Sequence, residues 1–103
     1  MKTKARILCV DDEPNVLKAI RRVFLEEDCE VLTAENAQDA IRILEETQPV
    51  QVVIADYRMP GLNGVEFLKA VCRRWPETVR IVLSGYADTA AVVDAVNEGQ
   101  IYK

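Results

Sequence analysis

Val52-Val53-Ile54-Ala55-Asp56 is the stretch from which the rest of the chain can be ordered. It has four apolar residues in succession, three of them β-branched. Such a run fits a strand buried on both faces, and that environment arises in a parallel sheet covered by helices on either side. The apolar run stops abruptly at a carboxylate. In an open parallel sheet, functional groups gather at the carboxyl ends of the strands. The strand is therefore expected over residues 50–55, with Asp56 directly after it as a candidate functional residue.

Outward from this run, the chain alternates between two hydrophobic periods. Ala5–Val10 is short, apolar and rich in strand formers. Val16, Leu17, Ile20, Val23 and Phe24 recur at three- and four-residue steps and predict a helix over residues 14–27, with Pro14 suited to its first turn. Residues 30–34 form a second strand. Asn36 caps a helix that runs to about residue 47 and turns Ala37, Ala40, Ile41 and Leu44 inward. Residues 59–64 are a loop by their proline and two glycines. Residues 65–75 are helical, with Pro76 after their end, and Val79–Leu83 is a further strand. Asp88 or Thr89 caps a helix through Asn97 that Gly99 closes, and Ile101-Tyr102-Lys103 begins a fifth strand. Strict alternation of strand and helix implies an α/β fold with a parallel sheet and helices on both faces.

The 103 residues suit one compact domain. A net charge of -4 argues against direct contact with nucleic acid or an anionic membrane, both of which need a basic face. The basic start of the chain leads into Ile7-Leu8-Cys9-Val10, which stops at Asp11. That run is short of the roughly 7–15 residues of a secretory core and of the roughly 20 that span a bilayer. A cytoplasmic location is expected. The three scattered cysteines, Cys9, Cys29 and Cys72, fit reduced thiols, and Cys9 and Cys72 fall at core-patterned positions. The absence of histidine removes any Ser-His or Cys-His nucleophile within the chain. Arg73-Arg74-Trp75 reads as the basic end of a helix.

Three strand ends deliver chemistry to one edge of the expected sheet. Asp11, Asp12 and Glu13 follow the first strand, Asp56 follows the third, and Ser84 and Gly85 follow the fourth. Taken singly, each is an ordinary turn or capping residue. Taken together, Asp11, Asp12 and Asp56 crowd like charges, which is costly unless a proton or cation neutralises them. A hard divalent cation suits this set: Mg²⁺, with Mn²⁺ as the alternative. The chemistry that follows is attack of Asp56 on the phosphorus of a donor. The Ser84 hydroxyl would bond a phosphoryl oxygen from the opposite side. The backbone carbonyl of Arg58, two residues after Asp56, is placed to complete the metal ligands.

These residues also carry a resemblance. Ile7-Leu8-Cys9-Val10-Asp11-Asp12-Glu13-Pro14, Val53-Ile54-Ala55-Asp56-Tyr57-Arg58-Met59-Pro60-Gly61-Leu62-Asn63-Gly64 and Ile81-Val82-Leu83-Ser84-Gly85-Tyr86 fall in order along nearly the whole chain. In this the chain resembles the receiver domain of bacterial two-component response regulators. The resemblance implies a flavodoxin-like doubly wound sheet of order 2-1-3-4-5. It implies a phosphoacceptor, Asp56, that takes its phosphoryl group from a sensor histidine kinase or phosphotransfer protein. It gives Asp12 a direct metal contact and Asp11 one through water. It makes Ser84 the switch hydroxyl and Tyr102 the candidate switch aromatic, so that phosphorylation repacks the face of helix 4 and strand 5. It implies a regulatory module that promotes its own phosphorylation rather than an enzyme acting on a metabolite. The stretch from Tyr86 to Tyr102 is similar to receivers joined to cyclic-dinucleotide phosphodiesterase output domains.

The chain departs from the family in one place. The invariant lysine of strand 5 has no counterpart, since Lys103 lies too early. Strand 5 is therefore expected as a stub and helix 5 as absent, making residues 1–103 a C-terminally incomplete receiver. An uncovered strand 4 edge and helix 1 face would then favour self-association. Two other readings remain at this point. A pseudo-receiver would act as a protein-interaction module without phosphorylation. A Mg²⁺-dependent phosphohydrolase would need a second Asp two residues after its nucleophile, where this chain has Arg58.

Overall fold

The computed structural model describes residues 5–59 and 63–83. Within them the chain runs β1 (Ala5–Val10), α1 (Pro14–Val23), β2 (Cys29–Ala34), α2 (Ala37–Glu46), β3 (Val52–Asp56), α3 (Gly64–Arg74) and β4 (Val79–Leu83). The strands form one parallel sheet of order β2-β1-β3-β4. This is the α/β arrangement expected, with the first four strands of the order 2-1-3-4-5 in place. The expected fourth helix, the strand-5 stub and the absence of helix 5 concern positions outside the described residues, as do Ser84, Tyr102 and Lys103.

The pleat divides the core in two. Leu8, Val10, Val53, Ala55 and Val82 point to one face, where they meet Leu44 of α2 and Phe67, Leu68 and Val71 of α3. Ile7 and Cys9 point to the other face, beneath Leu17 of α1, with Ile20, Phe24, Val52 and Ile54 half-buried around them. Helices on both faces make the sheet doubly wound. Each fully buried large apolar side chain contributes roughly 1.5–3 kcal/mol, and β1, buried from Ile7 to Val10, is the strand both layers share. Burial also pushes the Cys9 thiol up to about 11, so it is neutral and inert at pH 7. Cys72, expected in the core, is only half-buried.

Two helices begin as their sequence dictates. The side-chain oxygens of Asn36 and Asn63 accept from the N–H of Asp39 and Glu66 at 2.8 and 2.9 Å, capping α2 and α3. α1 has no side-chain cap; Pro14, which has no N–H to satisfy, occupies its first turn. The helix expected over residues 14–27 ends at Val23. Arg21 and Arg22 favour the negative end of the helix dipole, whereas Glu26, Glu27 and Asp28 beyond it would oppose that end. The apolar period misled because Phe24 still reaches the core from the turn. Val23, which also keeps the apolar period, is 73% exposed.

β3 is shifted relative to the expected 50–55. Val50 and Gln51 precede the ladder, and Asp56 is the last paired residue, opposite Leu83. β4 is less apolar than its pattern suggested. Arg80 is buried, with Nη1 donating to the carbonyls of Pro76 and Thr78 at 3.0 and 2.6 Å, so the charge keeps polar partners. Among the described residues β4 has a neighbour on one side only, and Val79 and Leu83 are both 41% exposed.

α3 closes directly onto the end of β3. The Gly64 N–H donates to the Tyr57 carbonyl at 2.8 Å. A Cβ at Gly64 would overlap the Asp56 carbonyl oxygen and lie 2.9 Å from the Asp56 carbonyl carbon and from the Tyr57 Cα. Glycine is required here for close backbone approach. Gly64→Ala is expected to destabilise the domain by about 1–3 kcal/mol, the usual range for overpacking. Urea denaturation should show this as a lower midpoint at an unchanged slope.

Candidate functional site

The site is built where β1 and β3, adjacent in the sheet, reach their carboxyl ends. Asp11 and Asp12 leave β1 and Asp56 ends β3. One carboxylate oxygen from each of the three lies within 4.8 Å of the others. The structure thus brings together the three acids that the sequence singled out.

Each acid is held differently. Asp11 is buried, its N–H donating to the Ala34 carbonyl at 3.1 Å and its Oδ1 accepting from the Glu13 N–H at 2.8 Å. Its carboxylate is therefore pinned by the backbone that opens α1. Asp12 is exposed and Asp56 is half-buried. Burial, then the Asp11 charge, raise the Asp56 carboxyl above the usual carboxylate range; Asp12 adds to the rise, and the N–H groups of Arg58 and Tyr57 oppose it.

The donor set is three anionic oxygens without sulfur or imidazole. That chemistry fits a hard cation such as Mg²⁺ or Mn²⁺ and does not fit a structural zinc. The mixed burial also fits an ion that keeps water on its open side, because Asp12 faces solvent. Glu13, the remaining acid of the run, is exposed and outside the cluster; its contribution is its backbone, which holds Asp11 and starts α1.

Some of the site escaped the sequence reading. Gly64 reads there as a turn residue, yet its missing side chain lets α3 abut the end of β3. The signal was a glycine immediately after a capping asparagine, where a helix former would otherwise stand. Met59 is buried among the core residues of the α2 and α3 face. Ser84 and Tyr102 lie outside the described residues.

The family model of the response regulator receiver domain matches residues 7–102. The hydrogenase transcriptional regulatory protein HoxA of Cupriavidus necator is 52% identical over 100 residues, which make up 97% of this chain and 20% of that protein. A crystal structure of an uncharacterised protein from Neptuniibacter caesariensis matches with a TM-score of 0.91 at 40% identity, covering 97% of this chain and 74% of that one. The signal receiver domain of an HD domain-containing protein from Pseudomonas fluorescens Pf-5 matches with a TM-score of 0.89 at 27% identity, covering 99% and 74%. The chain spans about a fifth of the length of the curated relatives it matches first.

Burial of Asp56 beside Asp11 and Asp12 has a measurable cost. A raised folded-state value means that the native state holds the Asp56 proton more tightly than the unfolded chain does. Above that value the ionised group destabilises the fold; below the unfolded value of about 3.9 the contribution disappears. In EDTA at pH 7, Asp56→Asn should therefore raise Tm. The gain should shrink when Mg²⁺ is added, and again as the pH is lowered through the carboxylate range. Thermal melts followed by circular dichroism check both trends.

Proposed function

The chain belongs to the response regulator receiver domain family, and we propose that it is a phosphorylation-switched signalling module in which Asp56 accepts the phosphoryl group. The observation that carries this reading is the convergence of carboxylate oxygens of Asp11, Asp12 and Asp56 within 4.8 Å of one another, with the Asp56 carboxyl raised by burial and by its acidic neighbours.

In this reading a carboxylate oxygen of Asp56 attacks the phosphorus of a phosphohistidine on a sensor kinase or phosphotransfer protein. An O–P bond forms and the P–N bond breaks, leaving the imidazole with the partner. Asp11, Asp12 and Asp56, with the backbone carbonyl of Arg58, would hold Mg²⁺, or Mn²⁺ in its place. When bound, that ion neutralises charge on the phosphoryl oxygens. Asp11 contributes from a fixed position, since its carboxylate is tied to the Glu13 N–H. The Gly64 contact keeps the end of β3, and hence Asp56, against α3. Ser84 is assigned the hydroxyl that bonds the phosphoryl group, and Tyr102 the aromatic that responds to it. The chain turns over no metabolite and acts as a regulatory acceptor that promotes its own phosphorylation.

The receiver would control an output domain on a longer parent chain. Identity of 52% to a transcriptional regulatory protein favours transcriptional output over the cyclic-dinucleotide phosphodiesterase type expected from the stretch Tyr86 to Tyr102. The half-exposed Val79 and Leu83 support self-association at the β4 side. No helix among the described residues is long and apolar enough to cross a membrane, and a cytoplasmic location is part of the proposal.

Incubation with Mg²⁺ and a small phosphodonor such as acetyl phosphate tests the reading by intact mass. The expected result is a gain of a single phosphoryl group that is lost in Asp56→Asn and prevented by EDTA. No gain under these conditions would point instead to an interaction module without phosphorylation.

A further inference from the structure

The corner between α1 and β2 lies at the amino end of the strands. Asp56 lies at their carboxyl end, a strand length of roughly 15 Å away. α1 stops at Val23, and the turn that follows leaves Val23 73% and Leu25 75% exposed. These are the two most exposed large apolar side chains among the described residues, and they flank Phe24, which packs inward. Beside them lies an open cleft of about 440 Å³, lined by Ile7, Val23, Phe24, Glu27, Asp28 and Cys29.

Charge distinguishes this corner from an ordinary apolar patch. Glu26, Glu27 and Asp28 follow Leu25 directly, and all three are exposed. None forms an ion pair among the described residues, whereas the neighbouring Glu30 is paired with Arg6 at 3.2 Å and Arg21 bonds the Thr33 hydroxyl at 3.4 Å. An apolar cleft beside unpaired carboxylates is complementary to a segment that carries apolar side chains on one face and lysine or arginine at its margin.

We propose that the α1–β2 corner is a docking surface for a basic amphipathic segment of a partner protein, seated on Val23, Leu25 and Phe24 with its cations against Glu26, Glu27 and Asp28. The surface is remote from the acidic site, so docking is independent of the phosphorylation state of Asp56. It serves as a constitutive tether and not as an output of the switch.

The test titrates the 103-residue chain into a fluorescein-labelled amphipathic peptide of leucine and lysine, read by anisotropy. A control peptide of equal charge has serine in place of leucine. The expected result is saturable binding of the first peptide only, weakened by salt. Val23→Ser with Leu25→Ser, and separately Glu27→Lys with Asp28→Lys, should each weaken it by about tenfold or more. All four positions are exposed or cleft-lining, so the variants should keep the wild-type circular dichroism spectrum. Asp56→Asn should leave binding unchanged, and amide shift changes should centre on residues 23–29. The proposal is overturned by equal binding of the control peptide, by no binding, or by binding lost in Asp12→Asn and retained in the corner variants. Light scattering that shows Val23 and Leu25 buried in a dimer of this chain, dissociated by their serine variants, would also overturn it.

Discussion

The mutual repulsion of three carboxylates, imposed by neighbouring strands that end together, is the constraint on which the rest of this structure depends. Asp11 and Asp56 cannot move apart without breaking the β1–β3 ladder, whose register runs from Ile7 opposite Val52 to Val10 opposite Ala55. The ladder is held by the most buried of the described residues, Leu8, Cys9 and Val53 among them. Core packing thus forces like charges together, and the site stores an electrostatic cost that a cation can relieve. The Glu13 N–H and the backbone donors near Asp56 moderate that cost without removing it.

Much of this was legible in the sequence because the strands announce themselves. An unbroken apolar run that ends in an acid says both that the strand is buried and where its carboxyl end lies. Strand-terminal acids of this kind place Asp11, Asp12 and Asp56 at one edge of the sheet. The caps at Asn36 and Asn63 followed from local chemistry for the same reason, although only Asn36 was singled out. The family motifs then supplied the strand order that four strands display.

What was not legible depends on contacts between distant parts of the chain. The end of α1 was overrun because Phe24 keeps the apolar period while leaving the helix, and the period does not distinguish a turn that tucks a side chain inward from a further helical turn. The role of Gly64 needs the Asp56 carbonyl beside it. Buried Arg80 is tolerated through carbonyls of the turn before it, which a strand pattern does not reveal. The two ends of the sheet consequently differ. The carboxyl end is written in strand-terminal acids, and the amino end, with its exposed Val23 and Leu25, emerges only from the fold.

Asp11, Asp12 and Asp56 are proposed to act as a single cation-binding group on which phosphoryl chemistry depends. Isothermal titration calorimetry of Mg²⁺ into the metal-free chain tests this most directly. A single site per chain is expected, and it should disappear in Asp12→Asn and in Asp56→Asn. Binding that survives both substitutions, or no binding at millimolar Mg²⁺, would contradict it.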